Sequence, residues 1–237
     1  MMARRDVLDL SHWQTVIDWS AIKAEGVVAV ILKASEGTSY RDDKYNAFRA
    51  AALDVGLEVA SYHFLKHSNV VNQMEWYLAS AQPDPGERVC IDYEDPACVL
   101  DDLHEALDAI ESLRPDLQLT VYGGHLLKDQ LKGMCDGDLA PPRTSLWIAQ
   151  YTTGEVSWPS GTWPYWSLWQ YSDGKAGASP KNCPGVSGAV DTNMFNGTKD
   201  NCFRWFGPPA ISAPSAISLT VPAGTVITIN GKDFTAP

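Results

Sequence analysis

The chain has 237 residues, 45% of them hydrophobic and 20% charged, an ordinary globular mix with length for one or two domains around a buried core. Eighteen basic residues against 29 acidic ones give a net charge of −11, which argues against a nucleic-acid binder that neutralises phosphates and against attraction to an anionic membrane surface. Nine Trp and nine Tyr need burial or a ligand, so disorder is excluded for most of the chain.

The N-terminus, Met1-Met2-Ala3-Arg4-Arg5, runs straight into Asp6 rather than an apolar stretch, so no Sec signal is expected. No apolar run approaches the ~18 residues of a spanning helix. Val7 to Leu10 reads as a short buried strand, and Val27 to Lys33, after Gly26, as a clearer one. Helical spacing over Asp43–Val55 ends at Gly56, and Leu57–Phe64 is the next strand. Val70 to Ala81 is helical and stops before Pro83; Arg88 to Tyr93 is a strand. Val99 to Leu113 repeats apolar residues at three- and four-residue steps up to Pro115. Leu117–Tyr122 is a strand, followed by a shorter helix to about Leu131.

Alternating strands and helices imply right-handed crossovers and a parallel sheet. Five such units without a Gly-rich phosphate loop favour a barrel. After residue 140 the pattern changes: Ser145–Tyr151 and Tyr165–Tyr171 are strands with no room for a helix between them, and Ala189–Asp191 reads as a last short strand. The expected fold is an irregular, TIM-like α/β barrel of five β/α units and three plain strands over residues 1–207. Residues 208–237 differ, being rich in Pro, Ala, Ser, Thr and Val. Ser212–Ser215 reads as linker, Ile217–Val221 and Thr225–Ile229 as strands, and Asn230-Gly231 as a turn. About thirty residues bury no core alone. The wording from Val221 to Phe234 resembles the opening of an IPT/TIG module, and strand addition, self-association or phage-particle assembly is the alternative use of this tail.

The five cysteines are widely and irregularly spaced with no CxxC, so free thiols are expected, with Cys183–Cys202 the one pairing to check. His104-Glu105 opens an HExxH-like run that lacks its second His and reads as helix surface. No metal or organic cofactor is implied.

The strongest chemical signal is Asp92-Tyr93-Glu94 after the apolar Val89-Cys90-Ile91. Residues two apart share a strand face, so both carboxylates leave the carboxyl end of a barrel strand together, where α/β-barrel active sites lie. Two carboxylates with separated pKa values supply the acid and the anion that glycosidic cleavage requires. Alone, Asp-x-Glu equally reads as a strand running into an acidic loop, since Asp95 follows. Asp9 and Asp191 sit at the ends of the first and last strands, which adjoin in a closed barrel. Each alone equally reads as a cap or turn residue; their joint placement strengthens the case.

Over roughly residues 6–196 the chain resembles the glycoside hydrolase family 25 lysozymes, N-acetylmuramidases of the Chalaropsis type. The matching blocks are Asp9–Gln14, Ile17–Trp19, Lys33–Tyr40, Tyr62–Phe64, Asp92–Glu94, Leu146–Tyr151, Trp169–Ser172 and Asp191–Phe195. The resemblance implies the same barrel and cleavage of the β-1,4 bond between N-acetylmuramic acid and N-acetylglucosamine in peptidoglycan. It places Glu94 on the general acid, Asp92 on its carboxylate partner, and Asp9 and Asp191 on the flanking acids. Lys33 and Glu36 fall in a block near the site and are expected to bind substrate, with a buried ion pair as the equal alternative. Tyr62, Trp13, Tyr122, Trp147, Trp169 and Tyr171 lie at or near strand ends, where a ring either stacks on sugar or packs in the barrel core; Tyr62 is the favoured contact, and the others, with Gln150 and Gln170, are candidate substrate-binding residues. Trp158, Trp163 and Trp166 line a groove or pack their own loop.

The expected partner is the glycan strand of peptidoglycan, without nucleic acid or membrane insertion. The expected setting is phage-mediated lysis: synthesis in the host cytoplasm, then action on the wall after holin release or from a virion. A non-catalytic wall-binding barrel is the alternative, against which the four retained carboxylates argue. A chitin-cleaving barrel would carry a DxxDxDxE run, which is missing.

Overall fold

The computed structural model describes residues 3–207, 226–229 and 232–235. Eight strands form the barrel: β1 (Val7–Leu10), β2 (Ala29–Glu36), β3 (Glu58–Phe64), β4 (Arg88–Asp92), β5 (Gln118–Gly123), β6 (Thr144–Ala149), β7 (Leu168–Ser172) and β8 (Asp191–Phe195). Helices α1 (Trp19–Ala24), α2 (Tyr45–Asp54), α3 (Val70–Ala81), α4 (Leu100–Leu113) and α5 (His125–Gln130) follow the first five strands in turn, and α6 (Lys199–Phe206) follows the last. Strands β1 to β7 pair in parallel, each with the next. Strand β8 closes the ring by pairing antiparallel to both β7 and β1. This is the expected architecture of five β/α units and three plain strands.

Alternation along each strand separates two apolar layers. One set, including Leu8, Val30, Val59, Ile91, Val121 and Leu146, packs outward under the helices. The other set, Val7, Ile31, Ala60, Cys90, Tyr122, Trp147, Leu168 and Phe195, fills the barrel interior. Helix α6 closes the end opposite the mouth. Thr198 caps it by accepting from the Asn201 amide, and Cys202 and Phe206 join the interior layer. There the buried Arg88 donates from Nε to the carbonyl of Trp205 at 3.0 Å and lies 3.7 Å from its ring centroid. A cation on the carbonyl end of a helix and an aromatic face needs no carboxylate partner.

Two elements differ from expectation. The last strand is Asp191–Phe195, not Ala189–Asp191. Its inner face carries Asp191 and Asn193, so the apolar alternation that marks the other strands is absent. Helix α1 carries little sequence signal, being six residues long with a single fully buried residue, Ile22; its start is fixed by Asp18, whose side chain accepts from the Ala21 amide. All five cysteines are free, and Cys183 and Cys202 lie in different apolar layers, so that pair is not bridged.

In the tail, Val226–Ile229 pairs antiparallel with Lys232–Thr235, in register Ile229 with Lys232, around positions 230–231 where the turn was expected. Ser212–Ser215 and Ile217–Val221 lie outside the described residues. No described helix is long and apolar enough to cross a membrane.

Candidate active site

The parallel strands all deliver their carboxyl ends to one mouth. Asp92 is the last residue of β4, in register with Phe64 on β3 and Tyr122 on β5. The Tyr93 amide continues that ladder by donating to the carbonyl of Tyr122 at 2.9 Å. The Tyr93 ring is buried outside the barrel, and its hydroxyl donates to Oε1 of Gln130 at 2.6 Å. With Tyr93 pinned outward, Asp92 and Glu94 both face inward. Asp9, the third residue of β1, is the direct partner of Asp191 on β8. Because β8 runs in reverse, its first residue reaches the mouth that the other strands reach with their last.

Asp9, Asp92, Glu94 and Asp191 line one cavity of about 190 Å³ with Tyr62, Tyr122, Trp147, Tyr151 and Gln170. Asp9 and Asp92 are buried, Asp191 half-buried, and Glu94 is the exposed member at the rim. Burial pushes Asp9 up to about 6, against the hydrogen bonds of Asn193 and Gln170. Burial and the charge of Asp9 push Asp191 up to about 8. Burial and the neighbouring Glu94 drive Asp92 well above the usual carboxylate range. Partial desolvation and the charge of Asp9 raise Glu94 as well. The site therefore holds protons that isolated carboxylates would have lost at neutral pH. Oδ1 of Asp92 is buried with no hydrogen-bond partner among the described residues. The nearest cation, Lys33, is paired with Glu36 at 2.6 Å.

Of the residues singled out in the sequence, Tyr62, Tyr122, Trp147 and Gln170 line this cavity with the four acids. Burial and the surrounding carboxylates raise the Tyr62 phenol, keeping it a neutral donor. Lys33 and Glu36 form their ion pair beside the cavity. Glu36 is held low despite partial burial, by the hydrogen bonds and charges of Lys33 and Lys66. Trp13 is 80% exposed on the turn after β1, its ring 4.6 Å from that of His12.

Three expected contacts are directed elsewhere. Gln170 points into the barrel, so Trp169 and Tyr171 on either side of it point out. Trp169 donates its indole N–H to the carbonyl of Gln150 at 2.8 Å and lines a separate groove of about 550 Å³ with Trp158 and Trp166. Tyr171 is fully buried and donates to the carbonyl of Pro180 at 3.1 Å. Gln150 turns toward the β6–β7 connection, where its Oε1 accepts from Lys128 at 2.6 Å and from the Ser157 amide at 3.0 Å. Trp163 packs fully buried against Thr144. Two residues were missed: Tyr151, which lines the cavity, and Asn193, which reaches Asp9. The signal for Asn193 was present, since it lies two residues beyond Asp191 on the same strand face.

The family model for glycosyl hydrolases family 25 matches residues 8–178. The chain belongs to this family. It is 28% identical over 212 residues to lysozyme M1 of Streptomyces globisporus, covering 81% of this chain. It spans 67% of the length of that relative and 55% of the length of the autolytic lysozyme of Clostridium acetobutylicum, to which it is 28% identical over 200 residues. Among solved structures it is similar to the bacterial lysozyme of Streptomyces coelicolor, with TM-score 0.69, 25% identity, and 84% and 95% of the two chains covered. It shares its fold with the CTP1L endolysin, with TM-score 0.65, 19% identity, and 87% and 69% covered. The family 25 match covers β1 to β7, so three of the four carboxylates lie inside it and Asp191 beyond it.

Proposed function

We propose that this family 25 glycosidase is a lysozyme that cuts the β-1,4 bond between N-acetylmuramic acid and N-acetylglucosamine. The observation that carries the reading is the convergence of Asp9, Asp92, Glu94 and Asp191 in one cavity walled by tyrosine and tryptophan. Glu94 is the general acid. It stands at the rim where a glycosidic oxygen can reach it, and its raised pKa keeps a proton to donate as the C1–O bond breaks. Its carboxylate then takes a proton from the incoming water. Asp92 is the partner on the deeper side. Its unbonded Oδ1 is an acceptor awaiting a donor, which the acetamido N–H of the sugar supplies. Binding that N–H directs the substrate's own carbonyl oxygen at C1 and favours the charged form of Asp92 as positive charge builds. Asp9 supplies the negative field around the reacting carbon, and Asp191, raised to about 8, stands beside it in its acid form near neutral pH. Tyr62, Tyr122, Trp147 and Tyr151 give flat faces and hydroxyls for the sugar rings.

The setting we assign is phage-mediated wall lysis; the fold shared with an endolysin supports it. We assign residues 1–207 to the catalytic barrel and 208–237 to an accessory tail used for assembly. The test is digestion of purified peptidoglycan, reduction of the products, and mass spectrometry. Fragments ending in reduced muramic acid support the reading. Fragments ending in reduced glucosamine, or sedimentation with the wall without cleavage, refute it.

A further inference from the structure

Four carboxylates share one cavity, and their hydrogen-bond environments are unequal. Both oxygens of Asp9 accept from side-chain amides: Nε2 of Gln170 lies 3.1 Å from Oδ1 and 3.0 Å from Oδ2, and Nδ2 of Asn193 lies 2.8 Å from Oδ2. Among the described residues, no side-chain donor reaches the carboxylates of Asp92, Glu94 or Asp191 within hydrogen-bond distance.

Both amides are held from behind, and for Asn193 that contact fixes the orientation. The indole Nε1–H of Trp147 donates to Oδ1 of Asn193 at 2.7 Å. An indole N–H only donates, so the oxygen of Asn193 must face Trp147 and its NH2 must face Asp9. At Gln170 the two oxygens of Asp9, at 3.1 and 3.0 Å, take the NH2, and Oε1 on the other side accepts from the hydroxyls of Tyr122 at 2.8 Å and Tyr151 at 2.9 Å. An amide NH2 offers no acceptor for a carboxylic acid proton. The pocket around Asp9 is built for the anion.

We propose that Asn193 and Gln170 are positioning residues: clamped by Trp147, Tyr122 and Tyr151, their amides hold Asp9 as the fixed negative charge of the site, and that charge keeps Glu94 in its acid form. The inference rests on the reading of Glu94 as the general acid. The groups facing Asp9 are Tyr62 from β3, Cys90 and Asp92 from β4 with Glu94 beyond it, Tyr122 from β5, Tyr151 beyond β6, and Asp191 from β8, with Lys33 from β2 acting on Asp92. Lys33 is the one cation in this set, and it is engaged by Glu36. Asp9 is raised to about 6 and Asp191 to about 8, the order expected if the amides favour charge on Asp9. Asp9 is in turn a cause of the raised Glu94.

The test is the pH dependence of kcat/KM on soluble peptidoglycan fragments for wild type, Asn193→Leu, Gln170→Met and Gln170→Glu. With one of its two amide donors removed, buried Asp9 takes up a proton at higher pH, its field at Glu94 weakens, and Glu94 loses its proton at lower pH. The basic limb should move to lower pH by about half a unit or more in Asn193→Leu and Gln170→Met, with kcat down about tenfold. Gln170→Glu keeps the acceptor for both tyrosines. Its protonated form donates O–H to Asp9, so activity should recover on the acid side and fall as the pH rises. If Asn193→Leu fails to fold, Gln170→Glu carries the test. Uniformly reduced activity with an unmoved basic limb, or a limb moved to higher pH, overturns the proposal. Wild type unable to cut glycan refutes the lysozyme reading instead. The clamp is then read separately by carboxyl-carbon NMR: titration of Asp9 at higher pH in Asn193→Leu supports it, and unchanged titration overturns it.

Discussion

Asp9 and Asp191 are direct cross-strand partners, two carboxylates opposed on antiparallel neighbours at the barrel mouth. Like charges in that position destabilise a sheet. Burial first and the Asp9 charge second raise Asp191 to about 8. A folded-state pKa above the unfolded value near 4 means that the fold loses stability as pH rises from about 4 through about 8. Asp191→Asn should therefore raise the thermal midpoint at pH 8 by several degrees, a gain of a few kcal/mol that vanishes near pH 4. Turnover should fall in the same variant. Thermal unfolding at the two pH values checks this; a variant less stable than wild type at pH 8 contradicts it.

His63 sits fully buried beneath the site with its tautomer fixed. Gln73 gives its NH2 to the carbonyls of Lys66 and Ser68, both at 2.7 Å, so its Oε1 must accept from Nε2–H of His63 at 3.2 Å. Nδ1 of His63 then accepts from the Ser35 hydroxyl at 2.9 Å. Burial lowers His63 to about 4. Here the sign is opposite to that of Asp191. The contribution is complete above the unfolded value of about 6.5 and is lost as pH falls to about 4, on the order of 3 kcal/mol. The carboxylates at the mouth act in the opposite sense in both proteins, so the difference is what reports on His63: by urea unfolding, wild type should lose about that amount relative to His63→Gln between pH 7 and pH 4. An equal change in both would contradict the account.

Trp13 offers a separate test, because its indole is solvent-exposed and its position is set by the turn. Trp13→Ala should change stability by less than about 0.5 kcal/mol. KM on glycan should rise several-fold with kcat little changed, the mark of a uniform binding contact. Unchanged KM would remove Trp13 from the glycan path.

The order of strands and the placement of Asp9, Asp92 and Glu94 were legible because each follows an apolar run that ends at the mouth. Asp191 was legible as a mouth residue although its strand was drawn on the wrong side of it. Two of the three inward residues of β8, Asp191 and Asn193, are polar, so hydrophobic alternation does not mark it. Trp169 and Tyr171 show the opposite limit. Being next to a site residue on a strand places a side chain on the other face, and only the observed register decides which of three neighbours points in. Tyr151 was legible in principle, since the strand read over Ser145–Tyr151 puts it on the same face as Trp147, although the observed β6 ends at Ala149.

The tail should be dispensable for folding of the barrel. The ring of strands closes through β8, and α6 seals its floor before residue 208. Truncation after Gly207 keeps the bonds from Arg88 to the Trp205 carbonyl and from Gln118 to the Gly207 carbonyl. Circular dichroism and glycan digestion should match the full chain. Loss of cooperative unfolding on truncation would make the tail part of the barrel.

The central claim is that the carboxylate cavity cuts glycan with Glu94 as its acid. The direct measurement is turnover of purified peptidoglycan by Glu94→Gln beside wild type, with near-UV circular dichroism to confirm that both are folded. The variant keeps the shape of the side chain and removes its transferable proton. The account predicts a folded protein whose turnover falls by about 10²–10⁴ or more, the scale of general-acid catalysis. A folded Glu94→Gln protein with wild-type turnover would contradict it.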